Sequence, residues 1–268
     1  MTRRSMVMAA ATLLLGSACG TAMETEELAE TSSKIIKGTD SNRESVVLLR
    51  YFDGAKAGAS CTGTMIAKNL VLTARHCVSR TVGTRVVSER DVTEMFVFTG
   101  IAAPAASATK AGADARGLQS VIYAGEDIIG QDVALVVLDQ DVNVPLASVA
   151  EEPPTEGEKL VAVGYGRNED NLVPAKRQER TNRTVIAKDG PTFELDESAC
   201  LGDSGGPAMR AGNVIVGVDS RISGGDGVGS GGICVGPNTR AEYTSVTSVA
   251  KLVAFGRKTA AEERAARP

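Results

Sequence analysis

The stretch CLGDSGGPA, residues 200–208, sets a serine among glycines four residues after a cysteine. A serine hydroxyl is a poor nucleophile at its free pKa. It needs a base to take its proton, and acyl transfer also needs backbone donors for the oxyanion that forms. Glycines around Ser204 permit a turn that brings the Gly202 and Ser204 N–H groups to one point. A base is available in LTARHCV, residues 72–78, which holds His76, the only histidine among 268 residues, beside Cys77. A solitary histidine is ordinarily a core or surface residue. A serine motif of this kind in the same chain raises it to a candidate general base.

Such groups must be presented by rigid elements. Short β-branched runs recur between turn residues: SVVLLRYF, MFVFTG and DVALVVLD early in the chain, KLVAVGYG, PTFELD, NVIVGVDS and AEYTSV later. Many short strands with frequent turn signals predict an all-β barrel or sandwich. Residues 147–159, ASVAEEPPTEGEK, read as a connector between two halves. The Ala-rich residues 101–117 and the Gly-rich residues 224–232 read as loops. Near the end Val246, Val249 and Val253 share one helical face, which predicts a C-terminal helix at about 245–262 packed on the barrel.

The first twenty residues predict processing rather than fold. Arg3 and Arg4 precede an apolar stretch, Met6 to Leu15, and then small residues, the pattern of an export signal of bacterial type. LLLGSAC also resembles a lipoprotein signal that would lipidate Cys19, so residues 1–19 are assigned as signal segment. Export implies an oxidising compartment. With Cys19 removed or lipidated, Cys61, Cys77, Cys200 and Cys234 remain. Four cysteines permit three pairings, of which the local one, 61–77 and 200–234, is simplest. No CxxC or His/Cys cluster indicates zinc, and no metal or cofactor is expected. The net charge of −4 without a basic block argues against nucleic acid as partner. No later apolar run reaches the length of a membrane span, so a lipid on Cys19 is the one membrane link expected.

From Ile35 to about Val253 the chain resembles the trypsin/chymotrypsin family of serine proteases. LTARHC is similar to the family's LTAAHC, DVALVVL to DIALLKL, and GDSGGP is the family's nucleophile motif. The resemblance implies His76 as general base, Asp132 as the residue orienting it, Ser204 as nucleophile, and Gly202 with Ser204 as oxyanion donors. It implies two packed antiparallel six-stranded β-barrels, at about 35–146 and 158–244, before the C-terminal helix. It also implies disulfides Cys61–Cys77 and Cys200–Cys234. VAVGYG puts Tyr165 where the family usually has Trp. Arg75 replaces a usual Ala, and is expected to point to water.

SSKIIKGTD, residues 32–40, resembles the family's activation site. The resemblance implies a propeptide at 20–34, cleavage after Lys34 by another protease, and a freed Ile35 amine buried against Asp203. In the family the residue six before the nucleophile floors the primary pocket; here it is Ser198, without charge. Ser220, Ile222 and Ala241 fall at the pocket walls, and the last two narrow it. The implied activity is an exported endopeptidase acting on proteins or peptides after small or medium apolar residues. A non-proteolytic binding or regulatory protein, or a narrow esterase or processing enzyme, are the alternatives on the same fold.

Overall fold

The computed structural model describes residues 38–102, 109–168, 172, 176–224, 234–236 and 238–267. After a short β1 (Thr39–Asp40), the apolar runs form β2 (Val46–Asp53), β3 (Lys56–Ala67) and β4 (Leu70–Thr73). A single helical turn, α1 (Arg75–Val78), leads into the hairpin of β5 (Ser79–Val82) and β6 (Arg85–Glu89). Strands β7 (Met95–Phe98), β8 (Ala115–Ile122) and β9 (Ala134–Leu138) complete the first half. Six of these strands close antiparallel in the order β2-β3-β4-β9-β8-β7.

The second half opens with β10 (Ser148–Val149), then β11 (Lys159–Gly164), β12 (Gln178–Asp189) and β13 (Thr192–Asp196). It ends with β14 (Pro207–Arg210), β15 (Val214–Ser223) and β16 (Arg240–Ser245). The order β12-β11-β14-β15-β16-β13 is closed by pairing of β12 with β13. The architecture is therefore two closed six-stranded antiparallel barrels followed by helix α2 (Ala250–Ala265). Closure removes the long unpaired edges that would otherwise template aggregation. All five residues of β9, ALVVL, are fully buried, because one of its faces fills the barrel and the other lies under α2 and the neighbouring chain.

Val246, Val249 and Val253 are all buried, as their spacing predicts. The helix itself starts at Ala250, since Ser245–Val249 forms a turn in which the Ser248 hydroxyl donates to the Ser245 carbonyl at 2.7 Å. At Gly256 a Cβ would lie 2.9 Å from a methyl of Leu135, so only glycine lets α2 approach β9 this closely. The Asn69 amide donates to the Ala260 carbonyl at 2.8 Å and ties the helix to the β3–β4 turn. The Ala-rich stretch read as a loop ends sooner than expected: Ala115–Gly117 already belong to β8, paired with β7 and β9. Residues 103–108 of that stretch, the segments 1–19 and 20–34, and residues 225–232 of the Gly-rich loop lie outside the described residues.

One buried cation crosses the seam between the barrels. Arg177 is 1% exposed. Its guanidinium donates to the carbonyls of Ser41 (3.2 Å), Val46 (2.9 Å) and Gly100 (3.3 Å) and to the Tyr165 hydroxyl (3.2 Å). Tyr165 in turn donates to the Gly100 carbonyl at 2.6 Å. Hydrogen bonds from a charged group contribute about 1.5–3 kcal/mol each, and buried acceptors left unpaired are costly. Arg177→Met should therefore lower unfolding free energy by about 3 kcal/mol or more. Urea denaturation checks this; a loss below about 1 kcal/mol would mean that water replaces the guanidinium without penalty.

Candidate active site

His76 sits in the one-turn helix α1, closed by the Cys77 N–H donating to the Ala74 carbonyl at 3.2 Å. The Cys61–Cys77 disulfide ties that turn to β3, with Cα atoms 6.2 Å apart. The His76 ring keeps 21% of its side-chain surface exposed, whereas the carboxylate of Asp132 keeps none. Asp132 Oδ2 lies 2.7 Å from His76 Nδ1, and Oδ1 accepts the His76 backbone N–H at 2.9 Å. The Ser220 hydroxyl, from β15 of the second barrel, donates to Oδ2 at 2.7 Å. A carboxylate on Nδ1 selects the tautomer with the proton there, which leaves Nε2 as an acceptor. His76 and Ser204 line one cavity of about 410 Å³.

The loop carrying Ser204 is held from both barrels. The Ser204 carbonyl accepts from the Thr62 N–H at 2.9 Å, and the Gly202 carbonyl accepts from the Thr62 hydroxyl at 3.0 Å. That hydroxyl also receives the Tyr165 N–H at 3.1 Å. Gly205, at φ +82°, leaves no room for a side chain: a Cβ would meet Thr73 Oγ1 at 2.1 Å and the Thr62 carbonyl at 2.5 Å. The Leu201 carbonyl is taken by the Arg167 N–H at 2.9 Å. Across a planar trans peptide the Gly202 N–H then points the opposite way. Among the described residues neither the Gly202 nor the Ser204 N–H has an acceptor. Thr62 lies in CTGTMI and was not singled out from sequence; its one visible signal is adjacency to Cys61.

Asp203 turns inward. It accepts the N–H of Gly166 at 2.7 Å and of Cys200 at 2.9 Å, and no cation among the described residues pairs with it. Burial pushes its carboxyl up to about 7, against the opposing pull of those two N–H groups. Gly166 must be glycine here, since a Cβ would stand 2.3 Å from the Asp203 carboxyl. Lys34 and Ile35 lie outside the described residues.

The expected pocket residues gather in the second barrel. Ser198 is fully buried, and its hydroxyl lies by the Tyr243 phenol without completing a hydrogen bond. Ile222 faces Ala241 across β15 and β16 and packs on Cys200 and Cys234, which form the second disulfide. Ser220, expected at a pocket wall, directs its hydroxyl to Asp132. Sequence reading missed Asp219. It is 2% exposed, stands opposite Tyr243, and its Oδ1 has no partner. Burial, with Asp203 and Asp132 nearby, pushes its carboxyl well above the ordinary range and favours the neutral form. Its backbone exchanges hydrogen bonds with Gly205 and Gly206, each at 2.8 Å.

Arg75 corrects an expectation. It does not point to water: its side chain is 3% exposed and its guanidinium meets Glu89 at 3.1 Å. The β5–β6 hairpin folds over α1 and delivers Glu89, which also accepts the Ser79 hydroxyl. The donor atoms of Cys61, His76 and Cys77 lie within 4.8 Å of one another, but both sulfurs are bonded to each other, so the trio offers a metal one imidazole and no thiolate.

The chain matches the Trypsin family over residues 35–253. Chymotrypsin-like elastase family member 1 of Homo sapiens is 26% identical over 223 residues, 68% of this chain and 78% of that protein. Its counterpart in Canis lupus familiaris is 39% identical over 79 residues, a match spanning 26% of this chain and only 31% of the relative. Two solved structures superpose with TM-scores of 0.62 at 16% identity. One is neuropsin, a serine protease expressed in the limbic system of mouse brain, covering 82% of this chain and 99% of that one. The other is a scabies mite inactivated protease paralogue, covering 83% and 99%. At that identity the structural likeness concerns the fold alone.

The Asp203 environment carries a stability signature. In the unfolded chain the acid ionises near 3.8, while the uncleaved native state holds its proton up to about 7. Between these values the native state binds more protons, so its contribution is intact below about pH 4 and is lost as pH rises toward 7. The loss amounts to about 4 kcal/mol. Asp203→Asn should flatten this fall when unfolding free energies of the uncleaved chain are compared from pH 4 to 8. Parallel pH curves for the two proteins would contradict it.

Proposed function

The chain belongs to the trypsin family, and on that footing we propose that it is an exported serine endopeptidase. The observation that carries the reading is the 2.7 Å contact of His76 Nδ1 with buried Asp132, with His76 and Ser204 on one cavity. In this reading Ser204 Oγ attacks the peptide carbonyl as Nε2 of His76 takes its proton. Asp132 holds the tautomer and stabilises the imidazolium. The oxyanion is received by the N–H groups of Gly202 and Ser204, which have no acceptor among the described residues. The imidazolium then protonates the leaving amine, and water, activated by the same base, hydrolyses the acyl-enzyme. The leader and Cys19 support export, secreted or lipid-anchored, and the two disulfides suit that compartment.

Activation by cleavage after Lys34 belongs to the same proposal. A freed Ile35 amine would pair with Asp203, whose carboxyl has no cation among the described residues. Losing one partner of such a buried pair costs roughly 3–5 kcal/mol, enough to decide the orientation of the adjoining Gly202 peptide.

A second reading is a non-catalytic protein on the same fold, a fold that an inactivated protease paralogue also adopts. Labelling by a fluorophosphonate distinguishes the two. Wild-type protein should label on Ser204, much faster after cutting behind Lys34, and His76→Ala and Ser204→Ala should lose nearly all turnover while melting normally. The double variant should be little worse than either single one, because the residues act as a unit. No labelling after the cut would select the non-catalytic reading. Equal labelling before and after it would remove the activation step.

The fine specificity proposed is for Ala, Val or Leu before the scissile bond. The facing pair Ile222 and Ala241, uncharged Ser198 and the neutral-leaning Asp219 carboxyl all support a narrow slot without a fixed anion. A substrate cation left unpaired there would be disfavoured by several kcal/mol. Peptide and ester panels varied at that residue should therefore favour small apolar side chains over Arg, Lys and Phe. Preference for Arg or Lys would overturn the slot, and esters cleaved without peptides would make the protein an esterase.

A further inference from the structure

The 410 Å³ cavity reaches away from the second barrel. Besides His76 and Ser204 it is lined by Ala59, Ser60, Arg80 and Arg90, with the Cys61–Cys77 disulfide in its wall. All these but Ser204 belong to β3, α1, or the β5–β6 hairpin and the residue after it. The expected acyl pocket of Ser198, Ile222 and Ala241 lies in the other barrel. A peptide attacked by Ser204 extends to both sides of it. The half leaving as the amine therefore faces this cavity.

The cavity wall is cationic and pinned. Among the described residues no acidic side chain lines it. Arg90 Nε donates to the Ser79 carbonyl at 3.2 Å, its backbone N–H donates to the Val78 carbonyl at 2.8 Å, and its guanidinium lies 4.9 Å from the Tyr51 ring centroid. Arg80, exposed on β5, sits close enough to depress the Arg90 pKa beyond the effect of burial. The adjoining acid, Glu89, is held by Arg75 and the Ser79 hydroxyl. Among the described residues neither Arg80 nor Arg90 has a carboxylate partner. Two like charges side by side, one fixed by packing, form a site whose repulsion an anion relieves. Guanidinium groups present paired donors that match a carboxylate.

We propose that this cavity binds an acidic side chain, Asp or Glu, on the leaving half of the substrate, with Arg80 and Arg90 as its anion-binding pair. The inference rests on the protease reading for its catalytic consequence, but the binding site itself does not require turnover. Partly exposed ion pairs are modest, so the discrimination to be read is about tenfold, falling as salt rises.

The test uses quenched-fluorescence peptides with one acyl half ending in Ala and a leaving half carrying Glu, Ser or Lys at its first or second residue. The expected kcat/KM ratio of Glu over Lys is about tenfold at low salt. It should shrink in high salt and fall to unity or invert in Arg80→Glu. Because Arg80→Glu also changes the charge near His76, each peptide rate is divided by that variant's own rate on a small ester with no leaving-half side chain. Arg90→Gln is the second variant, checked by its melting curve because Arg90 also packs on Tyr51. In parallel, Ser204→Ala protein is titrated with Glu-containing and Lys-containing leaving-half dipeptide amides. Preference for the Glu form, lost in Arg80→Glu, supports the site even if no substrate is turned over; that result would overturn only the protease reading. Equal binding and equal turnover of Glu and Lys forms overturn the site, as does a Glu preference that Arg80→Glu and Arg90→Gln leave unmoved.

Discussion

A single carboxylate with no exposed surface joins the parts of this molecule. Asp132 stands just before β9 of the first barrel, accepts from the backbone and ring of His76 in α1, and accepts again from Ser220 in the second barrel. Burying a carboxylate without such partners is prohibitive. Its desolvation is offset only when both barrels and the intervening turn occupy their native places. Arrangement of the imidazole and docking of the barrels are thus one event.

A second layer does the same for the nucleophile loop. Thr62 offers its N–H to the Ser204 carbonyl and its hydroxyl to the Gly202 carbonyl, and so carries the register of the first barrel into a loop of the second. Gly205 lets the backbone come within contact of Thr73, and Asp219 is locked to Gly205 and Gly206. The loop has little freedom to relax when any of these is altered. Asp203 is the exception in energy rather than in position: it is fixed by two N–H groups but remains short of a countercharge among the described residues.

Legibility in the sequence followed how local each determinant is. His76, Asp132 and Ser204 each sit in a short run whose neighbours are themselves constrained, by a disulfide, a buried strand or glycine-only geometry. The runs were therefore readable, as were the barrel strands and the buried valine face before and within α2. Residues whose meaning comes from a distant partner were not. Arg75 reads as a surface charge until the hairpin brings Glu89 over it, fourteen residues on. Arg177 lies beside Gln178 in a polar stretch, and nothing local says that four acceptors from three other segments converge on it. Asp219 interrupts an apolar strand, VIVGVDS, and a period-two reading would send it to solvent; in the fold both faces of Ile215–Asp219 are buried. Ser220 was assigned to a pocket wall from the family resemblance, and only the fold shows that its hydroxyl also reaches Asp132.

The Cys61–Cys77 bond carries a consequence for where this chain can work. The same two sulfurs hold the His76 turn to β3 and form part of the wall beside the Arg80 and Arg90 pair. Thiols in a reducing cytosol would release both at once, while leaving Ser204 and its own bridge to be dealt with separately. An oxidising space is thereby a condition on the order of the His76 turn, set by the chemistry of the surroundings.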